Sequence, residues 1–392
     1  MNDNKIAAVV IGLDINGLGV ARWLAKEGVP VYAIDKNFKK PTGRTNSAKK
    51  VKFNTLEGEK FIEELIKLRE NFDDNPVLFI TMERTLRTIS EYRDKISHLY
   101  RFTMPEHKML MSLMNKNGVL QVAEKSGVRY PRTLKVTAPG IIDGAKNFTF
   151  PCIFKPSEQN TEFGDEIKKA YKTNSLDEIK QIYAEIKDRI SDMVIQEWVE
   201  GNDSDIYFLI EYIDSAGNVV ADFPGRKVRS WPPNVGGTAS CTSAYELLDE
   251  MRIATAKYFK ACNFIGMGGM EFKRDSRSGE LLIIEPTVAR TDLQHEVAMI
   301  HGVNLVYAQY CSETGQEFKT LSSDEQKNWP QKIWRVAPID RYSRETVTTD
   351  AQDEIDKRYP SVEALARFSD PLPFIYSLCG KVSAKINHII KR

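Results

Sequence analysis

Short apolar runs alternate with amphipathic stretches through the first part of the chain. The run IAAVVIG leads through a glycine turn into the helical pattern VARWLAKEG, and VPVYAID follows as a second strand. LEGEKFIEELIKLREN has apolar residues at helical spacing, and NPVLFITM has the composition of a further strand. Strands that alternate with helices in this way predict a parallel α/β sheet over residues 1–112.

The pattern changes after residue 112. Helix MNKNGVLQVAEKSG, strand FPCIFKPS and helix SLDEIKQIYAEIKDRI predict a small α+β unit over residues 113–195. Apolar strands with one long helix, YELLDEMRIATAKYFKAC, then predict a larger sheet over residues 196–329. Residues 330–392 form a C-terminal extension, with a strand at IWRVAPID and an acidic helix predicted for residues 350–368.

Two glutamates lie on the arms of a predicted β-hairpin. Glu271 ends the apolar run GMGGME, Glu285 ends the run ELLIIE, and the polar turn RDSRSG between them favours antiparallel pairing. Two carboxylates at close range repel each other unless a cation lies between them, and Mg²⁺ prefers carboxylate, water and phosphate oxygens. The hairpin therefore predicts a Mg²⁺–nucleotide site, although acids at strand ends are also common on solvated surfaces.

The residues upstream of the hairpin occur in the order that a nucleotide site requires. Lys155 ends an apolar strand, where its point charge suits phosphate oxygens. The acid Glu197 and the apolar residues Trp198 and Val199 come at the end of a second strand, and the apolar walls and open backbone groups of this run suit a purine. Each feature alone has a simpler explanation, since such a lysine is more often solvated and such a tryptophan more often packs in a core. Their order along the chain favours nucleotide binding.

With these motifs the chain resembles the ATP-grasp superfamily of carboxylate–amine ligases from residue 1 to about 310. The resemblance implies an N-terminal Rossmann-like domain, a lid domain, and a catalytic domain with an antiparallel sheet, with ATP clamped between two sheets. It implies ATP and Mg²⁺ as cofactors, and Glu271 and Glu285 as metal ligands. The nucleotide contacts that it implies are Lys116 and Lys155 as the two lysines, Glu197, Trp198 and Val199 at adenine, and Asp203 or Asp205 at ribose.

The chain departs from the family pattern at two places. The family continues from its second glutamate as Glu-x-Asn-x-Arg, whereas this chain has Thr287 in place of the asparagine and Arg290 displaced by one residue. A hydroxyl can still bind Mg²⁺ directly or through water, so Thr287 is retained as a metal ligand. The phosphate loop contains a single glycine, Gly164, and the resemblance then leaves Lys168 or Lys169 to close over the triphosphate.

A cluster of cations lies in the segment DFPGRKVRSWPPNVGG. Lys227 and Arg229 belong to a predicted strand, and alternating cations on a strand are as often solvated as functional. In the family the matching region carries a cation for the γ-phosphate, so Lys227 or Arg229 is expected to have that role. Arg290 is expected to stabilise the charge that develops during the reaction.

The glycine turn near the N-terminus leaves an oxidoreductase as an alternative function. Asp35 ends the second strand, where a dinucleotide-binding protein holds a ribose hydroxyl. The spacing does not fit that fingerprint, because Gly17 and Gly19 are followed by Arg22 rather than by a third glycine or alanine. We therefore rank an NAD-dependent oxidoreductase below a second alternative, a non-catalytic ATP-binding module.

Composition narrows the class of protein further. The 392 residues include 55 Lys and Arg against 54 Asp and Glu, a net charge of +1 that argues against nucleic acid as the main partner. Five cysteines without CxxC spacing favour a reducing compartment. The first residues lack the features of a signal peptide, and no apolar run reaches the ~18 residues of a membrane span, so a cytoplasmic location is expected.

The sequence thus predicts an ATP-dependent ligase that activates a carboxylate as an acyl phosphate and joins it to an amine, releasing ADP and phosphate. Small-molecule acids and amines are the expected partners. The C-terminal run with Lys381, Lys385, Lys391 and Arg392 leaves peripheral membrane contact open, although a packed helix is the simpler explanation. A homodimer is also left open. Ligases with such extensions resemble the cell-envelope type, including D-aspartate ligases.

Overall fold

The computed structural model describes residues 5–157, 170–190, 192–234 and 236–378, and its strands within these ranges form three sheets. The predicted phosphate loop with Gly164, Lys168 and Lys169 lies outside the described residues, and so does the basic end from residue 379. No helix within the described ranges is both long enough and apolar enough to cross a membrane.

The first sheet is parallel and has the strand order β3-β2-β1-β4. Its strands are β1 (Ala8–Ile11), β2 (Val31–Asp35), β3 (Lys49–Lys52) and β4 (Val77–Ile80), and its helices are α1 (Ile15–Lys26), α2 (Glu59–Arg69), α3 (Glu83–Glu91) and α4 (Arg93–Ile96). Strand β1 is apolar throughout because alternate residues enter two different cores, with Val9 in one and Val10 in the other. The predicted parallel α/β sheet is confirmed.

The second sheet is antiparallel and has the order β5-β8-β6-β7. Its strands are β5 (Thr133–Val136), β6 (Cys152–Pro156), β7 (Tyr171–Thr173) and β8 (Met193–Glu197); helices α5 (His107–Leu113) and α6 (Lys116–Ser126) precede it, and α7 (Leu176–Ile186) lies between β7 and β8. Alternation in β6 sends Cys152 and Phe154 into a core with α7, and leaves Ile153 and Lys155 on the other face. That open face carries the lysine of the candidate site.

The third sheet has seven strands in the order β13-β12-β9-β10-β11-β14-β15. Its strands are β9 (Ile206–Ile213), β10 (Val219–Trp231), β11 (Gly237–Ser243), β12 (Gly266–Arg274), β13 (Leu281–Val288), β14 (Ile333–Arg335) and β15 (Ser361–Glu363). The accompanying helices are α8 (Leu248–Ala261), α9 (His295–Ile300), α10 (Leu305–Thr314), α11 (Ser323–Lys327), α12 (Ala337–Thr346) and α13 (Asp350–Arg358). The domain boundaries themselves remain predictions.

The C-terminal extension differs from its prediction in one element. The helix expected for residues 350–368 ends at Arg358, and Ser361–Glu363 form strand β15, which pairs with β14 in parallel. Pro360 explains the difference, because proline lacks the N–H of a continuing helix and restricts the residue before it to extended conformations. The extension therefore completes one edge of the seven-stranded sheet.

A buried acid in this sheet makes the stability of the fold dependent on pH. Glu211 on β9 is 3% exposed, and its Oε1 has no hydrogen-bond partner among the described residues. It lies opposite Asp222 on β10, which pairs with Arg252 at 2.5 Å. Burial, followed by the charge of Asp222, raises the pKa of Glu211 to about 8. Glu211 is thus largely neutral in the folded protein at neutral pH.

Glu211→Gln is expected to stabilise the protein at alkaline pH. In the unfolded chain Glu211 loses its proton near the ordinary pKa, so between that value and about 8 the folded state binds more protons, and the free energy of unfolding falls as pH rises. Glutamine removes this penalty, which reaches about 4 kcal/mol near pH 8. Thermal unfolding from pH 5 to 9 measures it, with Glu185→Gln on the exposed side of α7 as the control. A gain that is equal at pH 5 and pH 9 would contradict the assignment.

Candidate active site

The predicted hairpin is present as strands β12 and β13. Glu271 lies directly opposite Glu285 in the antiparallel register. The pairing then shifts by one residue, because Phe272 pairs with Ile283 and Ile284 is left as the extra residue of a β-bulge. The bulge changes the direction of the strand, so that Ile283 packs in the core while Ile284 and Glu285 both line an open cleft. The two acids therefore lie where the sequence predicted them.

Glu271 already has a cationic partner. Its Oε1 lies 2.8 Å from Lys227 Nζ on β10 and accepts a hydrogen bond of 2.5 Å from Gln294 Nε2. Burial alone would lower the pKa of Lys227, but the charge and hydrogen bond of Glu271, together with the charges of Asp292 and Asp203, raise it. Lys227 is therefore a buried cation, 4% exposed, fixed beside the acid pair.

The cleft beside Glu285 brings four of the predicted residues together. Lys116, Lys155, Glu285 and Arg290 all line it, and they come from three separate segments of the chain. Cations, among them Arg87 from helix α3, thus surround a space that the carboxylates of Glu83 and Glu285 also border, and this arrangement suits a metal-bound polyphosphate. The cleft lies between the open face of the second sheet and the hairpin of the third.

Hydrogen bonds hold both lysines in this cleft. Lys116 begins helix α6, and its Nζ donates to the carbonyl oxygen of Pro156 at 3.1 Å. Lys155 Nζ donates to Gln196 Oε1 at 2.9 Å, and Gln196 Nε2 in turn donates to Thr133 Oγ1 at 2.9 Å. Gln196, which the sequence did not single out, therefore orients the second lysine from the neighbouring strand.

Thr287 and Asp292 form a polar pair beyond the second glutamate. Thr287 Oγ1 donates to Asp292 Oδ2 at 3.0 Å, and Asp292 also accepts from the Gln294 backbone N–H at 2.8 Å. Burial alone would raise the pKa of Asp292, but His295 and the charge of Arg290 lower it well below its usual range. Asp292 therefore adds an ionised carboxylate beside Thr287, a partner that local sequence spacing did not reveal.

The displaced Arg290 still reaches the cleft. Ala289 is the extra residue relative to the family spacing, and its φ of 49° lies in the left-handed region that residues other than glycine rarely adopt. The turn at Ala289 is followed by Arg290, whose Nη1 donates to the carbonyl oxygen of Thr291 at 3.2 Å and whose side chain lines the cleft. Backbone strain of this kind is concentrated at functional sites.

The segment predicted to contact adenine follows strand β8. Trp198 and Val199 are buried, and the Glu197 carboxylate accepts a hydrogen bond of 2.7 Å from the Thr149 backbone N–H. The Trp198 ring lies beneath the ammonium groups of Lys172 and Lys273, which are 4.2 and 4.8 Å from its centroid. These three residues lie beside strand β6, which carries Lys155, as their positions in the sequence imply. Their adenine contacts remain a prediction.

Asp203 and Arg229 have structural partners elsewhere. Both carboxylate oxygens of Asp203 accept backbone N–H groups, from Ser230 at 2.9 Å and Asn234 at 2.8 Å, so this acid holds the loop after β10. Arg229 is fully buried and pairs at 2.8 Å with two aspartates of the C-terminal extension, Asp340 and Asp356. These contacts direct Arg229 at the extension rather than at a phosphate, and the γ-phosphate role of Lys227 stays a prediction.

The side chains around the hairpin fit a Mg²⁺ ion. Glu271 and Glu285 supply two carboxylates, and Thr287 lies two residue pairs along the same ladder, where its hydroxyl contacts Asp292. Among the described residues, no group of three or more His, Cys, Asp and Glu side chains is arranged to hold a metal alone. Mg²⁺ at nucleotide sites is bound through one or two carboxylates together with substrate phosphates and water, so two glutamates are sufficient.

In the first sheet, the residues at the positions of a dinucleotide-binding fingerprint already have partners within the protein. Asp35 accepts hydrogen bonds from the Leu13 and Asn37 backbone N–H groups and pairs with Lys40 at 2.8 Å. Arg22, at the position of the third glycine of a fingerprint, pairs with Asp370 at 2.8 Å. The two residues that decide the oxidoreductase alternative thus serve the fold.

Comparisons with known proteins agree with this geometry. The chain is 22% identical over 369 residues to the D-aspartate ligase of Enterococcus faecium (strain Aus0004), covering 85% of each chain. No family model matches. Its fold is similar to the biotin carboxylase domain of Hydrogenobacter thermophilus 2-oxoglutarate carboxylase, with TM-score 0.63, 16% identity, and coverage of 82% of this chain and 72% of that one. The chain has the ATP-grasp fold.

Other structures with this fold give the same result. N5-carboxyaminoimidazole synthetase from Staphylococcus aureus matches with TM-score 0.62 and 15% identity over 81% of each chain. Rhizobium etli pyruvate carboxylase matches with TM-score 0.63 and 16% identity over 84% of this chain, which spans only 31% of that one. The predicted ATP-grasp fold is therefore confirmed. The predicted class of enzyme, an ADP-forming ligase that uses ATP and Mg²⁺, agrees with a ligase relative and with a neighbour solved with MgADP.

Proposed function

We propose that the protein joins an amino acid, through a carboxylate activated by ATP, to an amine, and releases ADP and phosphate. The observation that carries this proposal is the register of the hairpin, which sets Glu271 against Glu285 beside a cleft lined by Lys116, Lys155 and Arg290. A pair of acids next to three cations suits a triphosphate with its divalent ion. The curated relative supports the choice of ligation.

The reaction proceeds in two steps. The substrate carboxylate attacks the γ-phosphorus of ATP in line, the bond to the β-phosphate oxygen breaks, and an acyl phosphate and ADP result. The amine then attacks the acyl carbon, phosphate leaves, and the amine proton passes to solvent or phosphate. Mg²⁺ bound at Glu271 and Glu285 would neutralise charge on the phosphates.

Residues of the chain position the reactants and stabilise charge. Lys116 and Lys155 balance the negative charge of the triphosphate, and the hydrogen bond that Lys155 donates to Gln196 Oε1 keeps Lys155 in place. Lys227, fixed against Glu271, supplies a cation for the γ-phosphate. Arg290, which lines the cleft, would stabilise the charge that develops on the transferred phosphoryl group and the tetrahedral adduct. The second sheet covers the cleft and limits hydrolysis of the acyl phosphate.

The wall formed by helix α3 suits an amino acid as the substrate. Glu83 and Arg87 line the same cleft as Arg290, and Arg87 Nη2 lies 3.0 Å from Glu83 Oε1. Arginine binds carboxylates with paired N–H groups, and a glutamate suits an ammonium group. An amino acid with a second carboxylate, such as aspartate, matches this wall, because Arg87 and Arg290 suit its two carboxylates and Glu83 suits its ammonium group. The curated relative, a D-aspartate ligase, supports the same class.

A screen of amino acids tests this proposal directly. We expect ADP release from ATP and Mg²⁺ to be stimulated most by acidic amino acids together with an amine acceptor. Arg87→Ala is expected to raise KM for the amino acid by about tenfold or more, because a charged hydrogen bond of about 1.5–3 kcal/mol is lost. Arg84→Ala is the matched control, since Arg84 on the same helix is exposed and pairs with Glu57.

The same screen separates the ligase from the non-catalytic module. Thr287 and the glycine-poor phosphate loop are the features that favour a module. A protein that binds ATP and Mg²⁺ but releases no ADP with any amino acid and amine would support the module and overturn the ligase. The described cysteines are free and buried, which suits the predicted cytoplasmic location, and the homodimer remains a prediction for light scattering to examine.

A further inference from the structure

A group of exposed apolar side chains lies near the end of the described chain. Phe368 is fully exposed, and the helical turn at 372–378 leaves most of its apolar side chains at least 37% exposed. Single exposed apolar residues are ordinary, but six within eleven residues of chain indicate an interaction surface. We call this group the apolar ridge; it consists of Phe368, Leu372, Phe374, Ile375, Tyr376 and Leu378.

The ridge is firmly attached to the N-terminal sheet. Asp370, at its base, is 1% exposed and pairs with Arg22 of helix α1 at 2.8 Å. Thr45 Oγ1 donates to the same carboxylate at 2.6 Å, and Asn46 Nδ2 donates to the carbonyl oxygen of Ser369 at 3.1 Å. The apolar side chains are therefore displayed from a fixed base.

A basic stretch of chain borders the ridge. Residues 36–52, which we call the basic strip, contain seven Lys and Arg and no acid. The strip touches the ridge directly, since Arg44 Cζ lies 4.4 Å from the centroid of the Tyr376 ring. Strand β3 is the last part of the strip and lies at the edge of the sheet. Its three lysines, Lys49, Lys50 and Lys52, are exposed.

We propose that the apolar ridge and the basic strip together form a docking surface for an anionic lipid bilayer. Aromatic and aliphatic side chains enter the boundary between headgroups and acyl chains, and neighbouring lysines are attracted to anionic headgroups. Each signal alone gives weak binding, and two signals together give stable attachment. This surface lies outside the ATP cleft and goes beyond the proposed function.

Charge favours a bilayer over a second copy of the chain as the occupant. In a two-fold dimer the same patch meets itself, so the basic strips of both copies would lie close together. Like charges at an interface oppose association, whereas an anionic surface complements the strip without requiring a specific acidic partner. The bilayer is thus the occupant to which both parts of the surface are complementary.

Vesicle sedimentation of the full chain tests the proposal. We expect binding to vesicles of phosphatidylglycerol and phosphatidylcholine, weaker at high salt, and little binding to phosphatidylcholine alone. Phe368→Ser with Ile375→Ser, and separately Lys50→Gln with Lys52→Gln, are each expected to weaken binding by about tenfold or more. The controls make the same kinds of substitution at exposed positions of helix α8: Ile253→Ser for the ridge, and Lys257→Gln with Lys260→Gln for the strip. Both controls should bind within about twofold of the unchanged protein.

Several results would overturn the proposal. These are absence of binding to the anionic vesicles, equal binding to phosphatidylcholine alone, and unaltered binding by the ridge and strip variants. Binding that only removal of residues 379–392 abolishes would assign the contact to that end of the chain instead. A dimer that Phe368→Ser with Ile375→Ser converts to a monomer, without lipid binding, would assign the ridge to a second copy. ADP release by these variants is expected to be unchanged, so failure here leaves the proposed ligase intact.

Discussion

Glu285→Gln is expected to reduce amino-acid-dependent ADP release by about a hundredfold or more. Glutamine keeps the shape of the side chain but removes the negative charge that faces Glu271 across the hairpin, and with it one of two carboxylate ligands for Mg²⁺. Loss of one well-placed electrostatic contact in a preorganised site has effects of about 10²–10³ on kcat. Steady-state ADP release measures the change, and a titration with Mg²⁺ should show a weaker apparent affinity.

The same hairpin provides a matched control. Glu280 lies just before β13, is about half exposed, and pairs with Arg129 at 3.3 Å on the surface. Glu280→Gln makes the same chemical change outside the cleft, so kcat should stay within about twofold. Neither change should lower the melting temperature appreciably, since both side chains are exposed. Full activity of Glu285→Gln with an unaltered requirement for Mg²⁺ would remove Glu285 from the metal site.

Local patterns made the most specific features of this site predictable. A hairpin needs only two apolar runs and a polar turn, and its register then fixes which side chains face each other, so Glu271 and Glu285 could be paired from spacing. Lys155 was likewise expected at the end of a strand, and alternation along β6 explains why it lies on the face opposite the core. These predictions rely on neighbours in the sequence or across one turn, where the period of the strand determines direction.

Partners far apart in the sequence were not predictable in the same way. Lys227 or Arg229 was expected near phosphate because the matching region of the family carries a cation there. The pairing between β10 and β11 shifts between these two residues, and Arg229 pairs with Asp340, 111 residues away. Asp203 was expected at ribose, and its carboxylate instead holds backbone N–H groups 27 and 31 residues further on. The cost of desolvation means that a buried charge needs a partner, but only the fold determines which residue is that partner.

Arg22→Ala is expected to destabilise the protein by about 3–5 kcal/mol, which is the second large effect. Arg22 is 8% exposed and, besides its ion pair with Asp370, donates to the carbonyl oxygens of Ala364 and Leu365 at 2.7 and 2.9 Å. Its removal leaves the Asp370 carboxylate, 1% exposed, without its cation. Breaking one side of a buried pair has a cost of this size because the other charge stays desolvated. Thermal unfolding and limited proteolysis near residues 364–370 would measure it.

Two further variants distinguish the ion pair from a general effect of losing an arginine. Arg84→Ala removes an exposed arginine whose contact with Glu57 is 3.4 Å, and should change the free energy of unfolding by no more than about 0.5 kcal/mol. Arg22→Met combined with Asp370→Leu replaces both buried charges by apolar groups and should recover much of the loss, since no unpaired charge remains. If Arg22→Ala were as stable as Arg84→Ala, the ion pair between Arg22 and Asp370 would not stabilise the C-terminal extension, and the base of the apolar ridge would be held by its other hydrogen bonds.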